Sequence, residues 1–256
     1  MYILVTNDDG IDSPGLLALK QALQSVGEVA VIAPDHNWSA AGHTKTMHKP
    51  LRVRKIMLPD GDSAFTSDGS PTDCVALGVL GILPRKPDLV VSGVNLGPNL
   101  GDDITYSGTV AAAMEGVISG IPSIAVSLTA YESFDHLDTA ARFAARLARH
   151  VLSNGLPCCE TLLNVNVPNL PPEQIAGVAI TRLGKRIYRD ILIERKDPYD
   201  RTYYWIGGEP PTGVAEEGTD IKAIAENKIS VTPIHLDLTD HQLISQLQKW
   251  QLTVSD

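Results

Sequence analysis

The apolar run Tyr2-Ile3-Leu4-Val5 breaks at once into the polar stretch Thr6 to Asp12, and Asp12-Ser13-Pro14 then leads into a helix-like segment, Gly15 to Val26. A capping residue followed by proline in the first turn marks a helix start, because proline's missing N–H would be unpaired there in any case. The alternation continues: Val29 to Ala33, Asp88 to Ser92 and Ser123 to Leu128 read as strands, Pro71 to Leu80 and about Thr109 to Ser119 as helices. Short β-branched runs alternating with helices predict parallel strands joined by crossover helices. The expected fold class is α/β, a Rossmann-like three-layer core with a mostly parallel sheet.

From Asp135 to Leu152, Leu137, Phe143, Leu147 and Val151 recur at helical spacing, which predicts an amphipathic helix over that sheet, and Leu162 to Val167 reads as the strand that follows. After Pro168 the character changes. Gly177 to Leu183, Arg201 to Ile206 and Ile229 to Pro233 are isolated strand-like runs between polar, Pro- and Gly-containing connections. The expected division is an α/β catalytic core, 1–168, and a smaller β-rich C-terminal region, 169–256, that returns to the core. The aromatic stretch Asp197 to Trp205 suits either an oligomerisation arm reaching another subunit or an ordinary surface hairpin. Asp240 to Trp250 reads as a terminal helix.

With 256 residues, 43% of them hydrophobic, the chain can bury a sizeable core. A net charge of -9 argues against a nucleic-acid polymer as partner, since such proteins neutralise phosphates with clustered Lys and Arg. A small anion remains compatible if one metal ion supplies the local positive charge. No apolar stretch is long enough to cross a bilayer, so no membrane partner is expected. The N-terminus enters a strand without a basic leader or long apolar segment, and Cys74, Cys158 and Cys159 fit neither a zinc site nor a disulfide framework. A cytoplasmic protein is expected.

Asn7-Asp8-Asp9-Gly10 follows the first strand, at the strand end where open α/β sheets place their sites. Adjacent carboxylates raise each other's pKa unless a cation compensates, and oxygen donors without Cys or His favour magnesium, manganese or calcium. A plain Asp-Gly turn is the bland alternative. Ser92-Gly93-Val94-Asn95-Leu96-Gly97 to Asp103 is a second loop, rich in Gly and Asn, that can bring backbone N–H groups and amides close to a ligand. It ends at Tyr106-Ser107-Gly108-Thr109 before a small-residue helix, where free N–H groups and two hydroxyls make a phosphate cradle, or Ser107 a simple cap. The loop Pro34 to Thr46 adds His36, His43 and Lys45, which suit phosphate contact or proton transfer, although a lone loop histidine is more often simply solvated.

Taken in order, these segments resemble the SurE (survival protein E) family of metal-dependent nucleotidases. The resemblance rests on Ile3 to Gly10 with Ser13-Pro14-Gly15, Ala33-Pro34-Asp35 and Ser39, Ser92-Gly93-Val94-Asn95, and Tyr106-Ser107-Gly108-Thr109 through Met114-Glu115-Gly116. It continues at Leu163-Asn164-Val165-Asn166-Val167-Pro168, Tyr204-Trp205 and Ser230-Val231-Thr232-Pro233. The resemblance implies hydrolysis of nucleoside 5'- and 3'-monophosphates, action on short polyphosphate as in some family members, and assembly as a homodimer or homotetramer. It also implies one divalent metal ion per subunit (Mg, Mn or Ca) on Asp8, Asp9, Ser39 and Asn95. Phosphate contacts would come from the Asn95 loop, Ser107, Gly108, Thr109 and, in second rank, His43; the catalytic set would be Asp8, Asp9, Asn95 and Ser107. His36-Asn37-Trp38-Ser39-Ala40-Ala41-Gly42 departs from the family's usual Arg-Asn-Arg-Ser-Gly-Ala-Ser, which bears on substrate preference.

The expected chemistry is attack on phosphorus by a water that a divalent metal activates, with Ser107, Thr109 and the helix N-terminus stabilising charge. A covalent aspartyl mechanism is the rival, and Gly10 breaks the Asp-x-Asp pattern it needs. A nucleotide-sensing protein with metal but without turnover is the alternative from another class.

Overall fold

The computed structural model describes residues 1–156, 160–250 and 252–254. Its elements run β1 (Tyr2–Thr6), α1 (Pro14–Leu23), β2 (Glu28–Pro34), β3 (Val53–Met57), β4 (Ser63–Ser67), α2 (Pro71–Leu77), β5 (Leu89–Leu96), α3 (Gly108–Ile118) and β6 (Ser123–Thr129). Then follow α4 (Leu137–Asn154), β7 (Thr161–Pro168), β8 (Val178–Ile180), β9 (Arg186–Lys196), β10 (Thr202–Gly213), α5 (Asp220–Ala225), β11 (Ile229–His235) and α6 (His241–Leu247). Among the described residues, nine strands form one sheet in the order β3-β4-β2-β1-β5-β6-β7-β11-β8, and β9 and β10 form a separate antiparallel hairpin.

The run from β4 through β2, β1, β5 and β6 to β7 is parallel, as the alternation of strands and helices predicts. The two faces of β1 divide cleanly. Ile3 and Val5 pack in the cluster that includes Leu16, Leu19 and Leu23 of α1 and Phe143 and Ala144 of α4. Tyr2 and Leu4 pack with Cys74 and Val75 of α2 and Ala112 of α3. A strand buried on both faces reads as a continuous apolar run, so Tyr2-Ile3-Leu4-Val5 is visible in sequence while its period of two is not. The result is three layers: α1 and α4, the sheet, and α2 and α3.

Boundaries follow local chemistry. α2 starts with a reciprocal capping box between Ser70 and Asp73 and ends at Leu77, short of the expected Leu80, because the chain widens into a π-helical turn over Gly78–Ile82 where Gly81 has φ +141. β3 and β4 carry weak sequence signals, since β3 is Val-Arg-Lys-Ile-Met with both charged residues exposed. Beyond Pro168, β11 pairs antiparallel with β7 and parallel with β8, which adds both to the main sheet. The hairpin is longer than the aromatic stretch suggests: Thr202–Gly213 pairs with Arg186–Lys196, and Asp197 to Arg201 form its turn. α6 starts at Asp240, whose carboxylate caps Gln242 and Leu243, and continues as a 3-10 turn over Gln248–Trp250. Cys74 is free and buried, and burial pushes its thiol up; Cys158 and Cys159 lie outside the described residues. No described helix is long and apolar enough to cross a membrane.

Candidate active site

Three loops leave the C-terminal ends of β1, β2 and β5 and meet the N-terminus of α3. Asp8 lies in the first, almost fully buried. Its Oδ1 accepts a hydrogen bond from the Thr109 hydroxyl, and backbone N–H groups of Gly108 and Thr109 also stabilise its carboxylate. Burial outweighs these donors and pushes the Asp8 carboxyl up. A β-carbon on Gly108 would lie 2.7 Å from Asp8 Cβ and 2.9 Å from Oδ2, so only glycine lets the helix start this close to the acid.

Asp9 is half-buried, and its Oδ2 accepts from the Leu96 N–H at 3.1 Å, tying the first loop to the Asn95 loop. Burial, then the neighbouring Asp8 charge, push its carboxyl up to about 6. Asn95 donates its Nδ2 to the Gly97 carbonyl at 2.8 Å, and no described hydrogen bond occupies its Oδ1. Ser107 caps α3 by accepting from the Val110 N–H at 3.1 Å; the cap and cradle readings of this residue are compatible.

The second loop is held over the first by the Trp38 N–H, which donates to the Asp8 carbonyl at 2.7 Å. Ser39 follows, exposed, with its N–H on Asn37 Oδ1 at 2.7 Å; no described hydrogen bond joins its hydroxyl to the acids. His43 does not turn to the acids either. Its Nε2 lies 3.2 Å from Glu115 Oε2, and Lys45 Nζ donates to Glu115 Oε1 at 3.2 Å. Burial alone would raise the Glu115 carboxyl, but the His43 and Lys45 bonds hold it below the usual range. Glu115 thus anchors this loop to α3.

The Asn95 loop is fixed from behind. The buried Asn99 gives its N–H to Asn166 Oδ1 at 2.8 Å, and its carbonyl accepts from the Asn164 and Asn166 side-chain amides, each at 2.9 Å. Gly101 N–H donates to Asp220 Oδ2 at 2.8 Å. These supporting groups were not identifiable as such from the local sequence, although Asn164 and Asn166 fall at alternate positions of an otherwise apolar strand, a signal of polar groups kept inside for a purpose.

The donor set fits a hard divalent cation: two crowded carboxylates whose ionised forms are penalised, an uncommitted amide oxygen nearby, and the buried, unpaired Oδ1 of Asn7 beside them in the chain. Among the described residues no group of three or more His, Cys, Asp and Glu could hold a metal, so a cation here would rest on the two acids and neutral oxygens. A cavity of about 810 Å³ between α1, α4 and β8 is lined by Arg142, Arg146 and Phe143 but by no carboxylate, which removes it as a cation site.

The model of the survival protein SurE family matches residues 3–190. A protein named 5'-nucleotidase SurE from Chloroflexus aggregans is 54% identical over 252 residues, 98% of this chain and 99% of that one. Its namesake from Geobacter sulfurreducens is 54% identical over 253 residues, 99% of this chain and 95% of the other. The crystal structure of the SurE protein from Aquifex aeolicus superposes with a TM-score of 0.84 at 45% identity, covering 98% of this chain and all of that one.

Proposed function

The chain belongs to the survival protein SurE family, and on that premise we propose that it is a 5'-nucleotidase, a phosphoric monoester hydrolase that releases phosphate from nucleoside monophosphates. The proposal extends to 3'-monophosphates, to short polyphosphate, and to dependence on one divalent ion, Mg, Mn or Ca, held by Asp8, Asp9, Asn95 and Ser39. The observation that best supports it is the hydrogen bond from Thr109 to Asp8, which joins the acidic loop and the α3 N-terminus into one site.

A cation bound there would set positive charge against the phosphate oxygens and acidify a water molecule. The chain's own residues bind and orient. Ser107, Gly108 and Thr109 offer hydroxyls and N–H groups at a helix N-terminus to the phosphate oxygens, and the Asn95 loop closes the other side. Asp8 is committed to the Thr109 hydroxyl and to backbone N–H groups of Gly108 and Thr109, whereas Asp9 is less buried and meets only the Leu96 N–H, so Asp9 is the better acceptor for the attacking water's proton.

The same reading keeps 1–168 as the catalytic core, 169–256 as the region carrying an oligomerisation arm, and a cytoplasmic homodimer or homotetramer as the working form. Exposed Leu192, Tyr204, Trp205 and Ile206 on the hairpin support an arm that another subunit covers.

The test is phosphate release from a panel of 5'- and 3'-nucleoside monophosphates after chelation and after adding back each metal, beside Asp8→Asn. Metal-restored release that the substitution abolishes is expected. Tight nucleotide binding without release under every metal would overturn the proposal in favour of a nucleotide sensor.

A further inference from the structure

The loop after β2 carries two aromatic rings where the site needs none for phosphate chemistry. The His36 and Trp38 ring centroids lie 5.1 Å apart, tilted by 31°. Backbone contacts hold the segment that carries the two rings against the acidic loop. The Trp38 N–H sits on the Asp8 carbonyl at 2.7 Å, and a β-carbon on Gly10 would come within 3.2 Å of the His36 carbonyl carbon. Asn37 accepts the Ser39 N–H at 2.7 Å, which fixes the turn between the rings and Ser39.

The His36 ring is exposed and oriented by Asp35 Oδ1, 2.5 Å from its Nδ1. Asp35 in turn pairs with Arg54 at 3.6 Å, and the two line a cavity of about 530 Å³ with Arg52, Val53 and Asp68. Its walls offer guanidinium donors and carboxylate acceptors, the two kinds of group that read a heterocycle's edge. Trp38 Nε1 is buried with no partner, so this ring, unlike an ordinary core tryptophan, has an unmet donor.

We propose that the His36–Trp38 pair is the shelf on which the substrate's nucleobase stacks, with Asp35 and Arg54 facing the base edge. The inference rests on the nucleotidase reading above and names where that substrate's base binds. A nucleoside monophosphate carries its base one ribose from the phosphate, and the ring pair sits one residue before Ser39 and one hydrogen bond from Asp8. Stacking is tolerant of base identity and grows with ring area, so purines gain most.

The experiment compares kcat/KM for adenosine 5'-monophosphate with that for ribose 5-phosphate, which lacks the base, in the full-length metal-loaded protein and in Trp38→Ala, Trp38→Phe and His36→Ala. The ratio of the two constants is expected to fall about tenfold in Trp38→Ala, mainly through KM, to fall less in His36→Ala, and to recover in Trp38→Phe. A purely structural role would move both constants together and leave the ratio unchanged, which would overturn the shelf while sparing the nucleotidase. A parent protein that releases phosphate from neither compound would overturn the nucleotidase reading itself.

Discussion

Thr109 donates its side-chain hydroxyl to Asp8 Oδ1 across 101 residues of sequence, so the first turn of α3 and the loop after β1 are tied together as one structural unit. Neither residue meets solvent: Thr109 is fully buried and Asp8 nearly so. A buried carboxylate oxygen robbed of its donor pays a desolvation cost that the remaining backbone N–H groups offset only in part.

Thr109→Val, which keeps the shape and removes the hydroxyl, is therefore expected to lower kcat/KM for a nucleoside monophosphate about tenfold or more, the scale of one hydrogen bond to a charged group. Thr109→Ser is expected to restore most of it. Steady-state phosphate release measures both, and equal activity in all three proteins would show that the hydroxyl does not support Asp8.

Asp9 makes a prediction in pH. Its folded-state pKa is raised to about 6, so the folded chain holds this proton more tightly than the unfolded chain does. Stability of the metal-free protein is lost as pH rises from the ordinary carboxylate value of about 3.9 through that raised value, and the loss is complete above it. Asp9→Asn removes the loss. In chelator it is expected to be the more stable protein by about 1 kcal/mol near neutral pH, a figure discounted because Asp9 is only half-buried, with the difference closing at about pH 4. Urea melts at several pH values measure it; a constant difference across pH would rule out Asp9 ionisation as the cause. Glu115 runs the other way: its lowered pKa contributes stability above the ordinary glutamate value that fades as pH falls through the lowered one.

Gly108→Ala tests the closeness of helix and acid. The new carbon would sit 2.7 Å from Asp8 Cβ, nearer than real packing allows, and relief requires shifting either the α3 start or the acidic loop. Overpacking of this kind costs about 1–3 kcal/mol. Chemical denaturation should show that loss, and activity should fall further than stability does, because the shift is at the site. An unchanged melt would mean that the loop has room to move.

How much of this was legible depends on whether an interaction is local. β1, the acidic turn and the Ser107 start of α3 are readable because an apolar run, an Asp-Asp pair and a capping serine each declare themselves within a few residues. The three-layer α/β core follows from their alternation. β3 and β9 hide because exposed charged residues interrupt their apolar ones, so no alternation of buried and exposed positions marks them. The bond between His43 and Glu115 spans 72 residues, and no spacing rule carries it. The turn after α2 is hidden for a different reason: Gly78-Val79-Leu80 continues an apolar helical pattern, and only the Gly81 backbone breaks it.

Asp220 is the farthest-reaching of these unannounced partners. It is fully buried, its Oδ1 accepts the N–H groups of Gly184 and Ile221 at 2.7 and 2.8 Å, and its Oδ2 accepts that of Gly101 at 2.8 Å. One carboxylate thereby ties the end of the Asn95 loop to the strand entry that leads into the hairpin. Asp220→Ala strands three backbone donors in the interior, and leaving such groups unpaired costs about 1–3 kcal/mol each, offset in part by water entering the space. The expected result is a loss of about 3 kcal/mol in urea denaturation together with a fall in kcat, although Asp220 touches none of the proposed phosphate or metal groups. Hydrogen exchange at Gly101 and Gly184 separates the two effects: faster exchange at both amides in the variant would trace the lost activity to a loosened loop, whereas unchanged protection would show that other contacts, Asn166 first among them, hold the loop without Asp220.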